Sequence, residues 1–524
     1  MVSYSKIGID VVTEYIEGLA ETYPGLQYLD GFPEVKVVLR ADVSSDTYDK
    51  VAIISGGGSG HEPAQAGFVG EGMLTAAICG EVFASPQVDS ILAGIRAVTG
   101  PKGCLLIVTN YTGDRLNFGL AAEQAKSEGY KVETVIVGDD CALPPSHGVA
   151  GRRGLAGTIL VHKVAGAAAA AGLSLDEVAA EAKRASEMVG TMGVALSVCT
   201  LPGQVTSDRL GPGKMELGLG IHGEPGAVVA DLQPVEVVVS HVLKQILSPE
   251  TNYVPITRGN RVVLMVNGLG ATPVMELMIA AGKAVPQLQL EHGLAVDRVY
   301  TGSFMTSLDM SGFSISIMKA DEAILHRLDA ATKAPFWPAG VDGNRPPAKI
   351  PIPLPLNHLT KSDESMGRPL QLSEQGQILE LAIEAAANAI IDLRDILNEW
   401  DSKVGDGDCG STMDRGATAI LEDMKKYKCA FDLKHSLEPG LMFLKLRLLQ
   451  SRLTAGDDPI TAFILSSEAA LAGAESTRHM QAQAGRSTYV STEILASVPD
   501  PGAMAAASWY RAAALAIKNK VEPS

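Results

Sequence analysis

Three short stretches set titratable side chains among glycines where they could act on a small molecule. LGLGIHGEPG, residues 217–226, places His222 between Gly218, Gly220, Gly223 and Gly226. Glycine lets backbone approach a ligand closely and take positive φ, so the cluster can leave the imidazole open to a ligand. A histidine in a plain glycine turn is the alternative. GLGIHG matches G-x-G-x-x-G, but the chain runs on into Glu224, Pro225 and Gly226, a turn where a dinucleotide loop needs a helix. SGGGSGHEP, residues 55–63, follows the strand-like VAIIS and ends in His61 and Glu62. Such a strand-to-glycine turn can hold a polar ligand on backbone N–H groups or be purely structural, and it lacks the Lys-Ser/Thr of a P-loop. VTNYTGDRLNFG, residues 108–119, follows CLLIV and puts Asp114 where loop becomes helix. Asp114 either caps that helix or, if loops at the carboxyl ends of strands share one crevice, meets His61 and His222 as a general base beside a carbonyl-binding histidine.

A fourth stretch, WDSKVGDGDCGSTM, carries Asp401, Asp406 and Asp408 in and beside a loop whose glycines let it curl. Three carboxylates facing one point select a hard cation, Mg²⁺ or Ca²⁺, over zinc; the EF-hand register is absent. Mg²⁺ commonly shares its shell with phosphate oxygens, so a nucleotide is the natural partner. NGLGATP, residues 267–273, has no titratable group and reads as packing.

These stretches need elements to position them. Residues 35 to 335 alternate short Val/Ile-rich runs with amphipathic stretches, an α/β pattern with a sheet covered on both faces, and a break near 185–192 predicts two subdomains, about 1–190 and 191–337. Residues 338–371 are proline-rich and read as a linker. Residues 372–524 show helical periodicity with alanine-rich faces and no strand signal, which predicts an all-α domain. The chain has 524 residues, 46% of them hydrophobic, and a net charge of −17 without a basic stripe, so nucleic acid is not an expected partner. Six cysteines without a C-x-x-C pair, and the lack of a signal or membrane-spanning segment, predict a cytoplasmic protein in a reducing compartment.

Taken together, ISGGGSGHEPAQAGFVGEGM, NYTGDRLNFGLA, AGRRGLAGTILVHKVAGA, ELGLGIHGEPG, VNGLGATPVMEL and WDSKVGDGDCGST resemble, in order, the single-chain ATP-dependent dihydroxyacetone (glycerone) kinases. The resemblance implies an ATP-dependent kinase for dihydroxyacetone and glyceraldehyde. It implies that His222 holds the ketone as a covalent hemiaminal, that Asp114 takes the proton from the reacting hydroxyl, and that His61 hydrogen-bonds there. Gly57, Gly58 and Ser59 would line the sugar site. Asp401, Asp406 and Asp408 would bind Mg²⁺, or Mn²⁺, bridging the ATP phosphates. Nucleotide contacts would fall on Gly410, Ser411 and Thr412, on Arg486, and on Asp500, Pro501 and Gly502. It further implies a homodimer, and, through some members, a second activity that splits FAD to cyclic FMN.

The chain departs from that pattern in two places. Thr109 stands where many members have lysine before NYTGD. Between Met424 and Thr454, where the family carries a glycine-rich M-G-G-[ST]-S-G loop, stands MKKYKCAFDLKHSLEPGLMFLKLRLLQSRLT with Gly440 as its only glycine. This reads as a deleted or alternatively spliced segment, which adds the expectation of a catalytically impaired form that binds short carbonyl compounds without turnover.

Overall fold

The computed structural model describes residues 10–143, 151–338, 372–426, 443–482 and 486–522. Two compact units divide the chain, Met1–Ile350 and Pro351–Ser524. The predicted linker from residue 339 onward lies outside the described residues.

In the first unit, the strands β1 (Leu26–Tyr28), β2 (Val37–Arg40), β3 (Ala52–Ser59), β4 (Ala76–Val82), β5 (Cys104–Thr109) and β6 (Val132–Val137) form one sheet in the order β1-β2-β4-β3-β5-β6. From β4 through β6 the pairing is parallel, while β1 and β2 pair antiparallel. Alternate residues of β3 and β5 point to opposite faces, as strand geometry requires. Ile53, Leu105 and Ile107 enter one cluster, with α1 (Val11–Thr22), α4 (Thr158–Ala170) and α5 (Leu175–Glu187). Ile54, Leu106 and Val108 enter another, with α2 (Val88–Val98) and α3 (Thr112–Ser127). Here the expected two-sided α/β sheet is present.

The second sheet is mostly antiparallel. It contains β7 (Val189–Ala195), β8 (Lys214–Leu217), β9 (Val228–Asp231), β10 (Arg261–Gly268), β11 (Ala295–Gly302) and β12 (Gly312–Ala320), in the order β11-β10-β12-β7-β8-β9. Only β10 and β11 pair in parallel. For β8 and β9 the cause is chain length: a parallel crossover takes a dozen or more residues, whereas residues 218–227 between them suffice only for an antiparallel return. One face of this sheet packs on α6 (Val235–Ile246) and α7 (Val274–Pro286). From the other, Val263, Met265 and Met318 join the cluster that already holds α4 and side chains of the first sheet. Helix α4 is buried from Thr158 to Ala169 and belongs to that shared layer. At its centre Lys163 Nζ donates to the carbonyls of Arg327 and Ala330, at 2.8 and 2.7 Å, which satisfies an otherwise costly buried cation.

The second unit contains, among its described residues, helices and no strand: α8 (Glu374–Asp392), α9 (Arg394–Val404), α10 (Cys409–Lys426), α11 (Phe443–Thr454), α12 (Pro459–Glu475), α13 (Thr492–Leu495) and α14 (Pro501–Val521). Its core is built largely of alanine, including Ala387, Ala417, Ala470, Ala474, Ala505 and Ala507, which lets helix axes approach closely. Among the described residues no helix is long and apolar enough to cross a membrane.

Candidate active site

The three loops carrying His61, Asp114 and His222 do converge, though by a route that strand-end reasoning does not give. β3 and β5 are parallel neighbours, so the segments after them open at the same sheet edge and present His61 and Asp114. His222 arrives from the other sheet, at the tip of the β8–β9 hairpin. His61 Nε2 and His222 Nε2 lie 3.1 Å apart. His61 is buried, while the side chain of His222 is 26% exposed, so one ring of the pair is open.

The glycines serve a purpose other than the one read from sequence. SGGGS is not a turn but the end of β3, and its glycines admit neighbouring backbone. A Cβ on Gly56 would stand 2.3 Å from the Ile78 carbonyl oxygen, and one on Gly58 would stand 2.8 Å from the Ala84 nitrogen. Gly57 borders the Asp114 carboxylate, 3.7 Å from where its Cβ would be. The Ser59 hydroxyl is committed to the Gly80 carbonyl at 2.8 Å. In the His222 loop, a Cβ on Gly220 would lie 1.9 Å from Glu224 Cδ, and one on Gly226 would lie 2.5 Å from the Leu217 carbonyl oxygen. These glycines make room for the loop's own atoms.

Asp114 is not a helix cap. It sits in the first turn of α3, whose N-cap, Tyr111, makes no side-chain capping bond. The carboxylate is buried and its Oδ1 has no hydrogen-bond partner. Burial lifts its pKa to about 6, against the pull of a Ser85 hydrogen bond and of His222. Burial also drives His61 down to about 3, and the neighbouring His222 works in the same direction, so His61 is neutral. Its Nδ1 donates to the Thr306 carbonyl at 2.8 Å, which fixes Nε2 as an acceptor. Phe83, with φ of +58°, stacks on His61 at 5.0 Å and meets His222 edge-on at 4.9 Å, and Tyr111 closes on His222 from 4.8 Å.

Several positioning residues escape sequence reasoning because they carry no charge or act at long range. The loop between β11 and β12 holds both histidines. Thr306 bonds His61, and the Ser307 hydroxyl donates to the carbonyl of Ile221, next to His222. That loop is organised by Asn267, which the sequence presents only as packing. Its Oδ1 accepts from the amides of Phe304 and Met305 at 2.8 and 2.9 Å, and its Nδ2 donates to the Met305 carbonyl and to Ser314 at 2.7 and 3.0 Å. Thr109 is buried against the place where Gly154 lacks a Cβ and brings no cation to the site. Arg153, from the AGRRG segment, donates to Asp140 and to the Gly218 carbonyl, both at 2.7 Å, and reaches Glu224 at 3.6 Å.

In the helical unit, Asp401, Asp406 and Asp408 each offer a carboxylate oxygen within 4.8 Å of the others. Asp401 Oδ2 accepts from the amides of Asp408 and Cys409 at 2.9 and 3.1 Å, and Gly407, with φ of +81°, lets the loop turn back. The all-oxygen donor set fits a hard divalent cation. Asp401 and Asp406 also line a cavity of about 400 Å³ with Ser487, Asp500, Pro501 and Gly502. Asp500 caps α14 through the Ala503 amide at 2.6 Å, which aims a helix N-terminus at that cavity. Of the other sequence candidates, Gly410 packs where a Cβ would meet the Arg394 carbonyl oxygen at 1.9 Å. Ser411 is engaged by Asn398 through both backbone and side chain, and Thr412 reaches Asp408 at 3.4 Å. The side chain of Arg486 and residues 427–442 of the departing segment lie outside the described residues; α11 occupies the end of that segment.

The geometry agrees with what the chain is similar to. The Dak1 domain family model matches residues 17–336 and the DAK2 domain model residues 446–515. A Solanum lycopersicum protein whose name proposes a 3,4-dihydroxy-2-butanone kinase is 72% identical over 98% of this chain and 97% of its own length. That alignment runs over 577 positions, more than the 524 residues present here, so the relative contains residues with no counterpart in this chain. The triokinase/FMN cyclase of Rattus norvegicus is 39% identical over 96% of this chain and 97% of its own. Among solved structures, the dihydroxyacetone kinase of Citrobacter freundii in complex with AMP-PNP and Mg²⁺ is similar with a TM-score of 0.62 and 34% identity, covering 98% of this chain and 99% of that one. With both units matched along one polypeptide, the chain belongs to the family of single-chain dihydroxyacetone kinases.

Proposed function

We propose that this chain transfers the γ-phosphoryl group of ATP to dihydroxyacetone and to glyceraldehyde, with the carbonyl held as a hemiaminal on His222. The observation that carries this reading is the 3.1 Å contact between an open His222 and a neutral, buried His61. A histidine with a lone pair adds to a carbonyl carbon: the N–C bond forms, the π pair moves to oxygen, the oxygen takes up a proton, and the ring, cationic on forming the bond, releases the proton of its other nitrogen, so the hemiaminal is neutral. Asp114, buried and unpartnered at Oδ1, accepts the proton of the hydroxyl to be phosphorylated, and His61 Nε2 accepts a hydrogen bond from the ligand. A small ketone or aldehyde with an adjacent hydroxyl satisfies both groups, whereas a plain alcohol gives His222 nothing to attack. Asp401, Asp406 and Asp408 would hold Mg²⁺, which neutralises charge on the nucleotide phosphates. Incubation with carbonyl-¹³C dihydroxyacetone, with and without ATP and Mg²⁺, tests the reading. A carbonyl signal that shifts to a tetrahedral carbon and then to phosphorylated product supports it, and free ketone at saturating protein refutes the hemiaminal.

A second reading, binding with strongly impaired turnover, is favoured by one observation, the relative's additional residues. The name of the Rattus relative includes an FMN cyclase, and the splitting of FAD to cyclic FMN that the family resemblance implies is tested in the same assay with FAD and Mn²⁺. We further propose a cytoplasmic homodimer. Its support is a set of exposed apolar side chains in the first unit, Val228 and Val229 on the edge strand β9 and Met275 and Met278 on α7, and light scattering measures it directly.

A further inference from the structure

We infer that Arg209, from the segment 196–213 between β7 and β8, is a positioning residue for His222. With Glu216 it clamps the glycine-rich turn and fixes the direction in which the imidazole points. For its effect on the ligand the inference rests on the hemiaminal reading, but the clamp belongs to the free protein. The turn needs one. Glycines stand at 218, 220, 223 and 226, and Gly218 and Gly223 have φ of +75° and +81°. Glycine loses more backbone freedom on ordering than any other residue, so such a turn keeps one direction when its peptide groups are bonded. Inside the turn, the Gly220 amide donates to the Glu224 carbonyl and the Gly223 amide to the Gly220 carbonyl, both at 3.0 Å. The peptide before His222 is held at both ends: the Ser307 hydroxyl donates to the Ile221 carbonyl, and Glu224 Oε2 accepts the His222 amide at 2.9 Å.

Arg209 and Glu216 supply the hold on the following side. The Glu216 side chain is 2% exposed, and a carboxylate buried that deeply needs partners. Its Oε1 accepts the Gly226 amide at 2.7 Å, and its Oε2 accepts from Arg209 Nη1 at 2.8 Å. The other arm of the same guanidinium, Nη2, donates to the carbonyl of Gly223, the residue after His222, at 3.2 Å. One ion pair therefore spans the turn from Gly223 to Gly226. Arg209 is itself rooted: its neighbour Leu210 is buried in a cluster with Val198, Cys199, Leu219 and Leu269, and Phe83, the ring that stacks on His61, packs against that cluster. The planar fork of arginine meets a carboxylate and a carbonyl at once from two nitrogens, whereas lysine gathers its donors on one atom and reproduces only the charge.

The test uses the full chain and the variants Arg209→Lys and Arg209→Ala, with His222→Ala to assign the ring signals. In the ligand-free protein the His222 ring protons, which face the Phe83 and Tyr111 rings, should shift in both Arg209 variants in ¹H–¹³C spectra. With carbonyl-¹³C dihydroxyacetone, the ligand concentration needed to form the tetrahedral carbon should rise by about 10–100-fold in both, since a misplacement of about 1 Å at a reacting group can cost as much as a hundredfold. The urea midpoint of Arg209→Lys should match the parent's, because the charge pair with Glu216 is kept, so the loss in that variant is one of position and not of folding. An adduct that forms in Arg209→Lys at the parent's ligand concentration, or one lost only in step with the unfolding midpoint, overturns the assignment. If the ring signals move as stated but no adduct forms in the parent protein, the hemiaminal reading fails and the role of Arg209 stands.

Discussion

His61 and Thr306 are bonded in both directions: the ring Nδ1 donates to the Thr306 carbonyl at 2.8 Å, and the Thr306 amide donates to the His61 carbonyl at 3.1 Å. The segment that follows β3 and the β11–β12 loop are thus locked together, and the loop owes its shape to Asn267.

Asn267→Ala should lower stability by on the order of 3 kcal/mol. The substitution strips partners from two amides and a carbonyl in a fully buried setting, each worth about 1–3 kcal/mol when left bare. Dihydroxyacetone binding should weaken as well, because Thr306 then no longer fixes the His61 tautomer. Urea unfolding and ligand titration measure the two effects, and an unchanged unfolding midpoint would show that the loop is held elsewhere.

Asp114→Asn should remove phosphorylation and leave the adduct on His222. It should also stabilise the protein at high pH. The folded-state pKa of about 6 exceeds the ordinary 3.8, so between those values the folded protein keeps a proton that the unfolded chain has lost. Stability is therefore present at low pH and is lost as pH rises through about 6. The neutral amide escapes that loss, a difference on the order of 2 kcal/mol at pH 8 that vanishes near pH 3.5. Turnover by the parent protein should rise through pH 6 as Asp114 becomes able to accept a proton. Thermal unfolding of both proteins across this range checks the sign.

Mg²⁺ should raise the unfolding temperature of the helical unit, by the equivalent of about 2.7 kcal/mol at a hundred times its dissociation constant. In Asp406→Asn that rise should disappear, while the metal-free protein becomes slightly more stable, since three carboxylates within 4.8 Å repel one another. Calorimetry with Mg²⁺ and with a chelator separates the two terms.

The chain as it stands should form product at least about a hundredfold more slowly than a version in which residues 425–454 are replaced by the corresponding segment of the Solanum relative. In-line transfer depends on donors fixed around the phosphates beforehand, and the relative carries residues this chain lacks. Equal rates of dihydroxyacetone phosphate formation would show that the segment contributes nothing to those donors.

The sequence makes some of this legible and hides the rest for physical reasons. The metal triad is readable because Asp401, Asp406 and Asp408 are close in the chain and need only a local turn. The first sheet is readable because Val/Ile runs alternate with helices. The antiparallel pairing of β8 and β9 in the second sheet is not, because both strands are short and their pairing is decided by a loop length that hydrophobic patterning does not register. Gly56 and Gly58 read as a turn when their use is close strand packing, since both call for the same residue. Asp114 is ambiguous until burial is known. Asn267, Thr306 and Ser307 leave almost no signal, because an uncharged side chain announces neither its hydrogen bonds nor a partner distant in sequence. The paired arginines of AGRRG were a usable clue to the support behind Glu224.

His61 and Asp114 ride on one sheet and His222 on a hairpin of the other, with α4 in the layer where side chains of both meet. The separation of the two histidines is thereby set by the interior as well as by the loops, because residues such as Ile159 and Ala165 of that layer act as the spacer between the two sheets. In an interior packed this densely, a change of one methylene there moves the rings relative to each other without touching either loop.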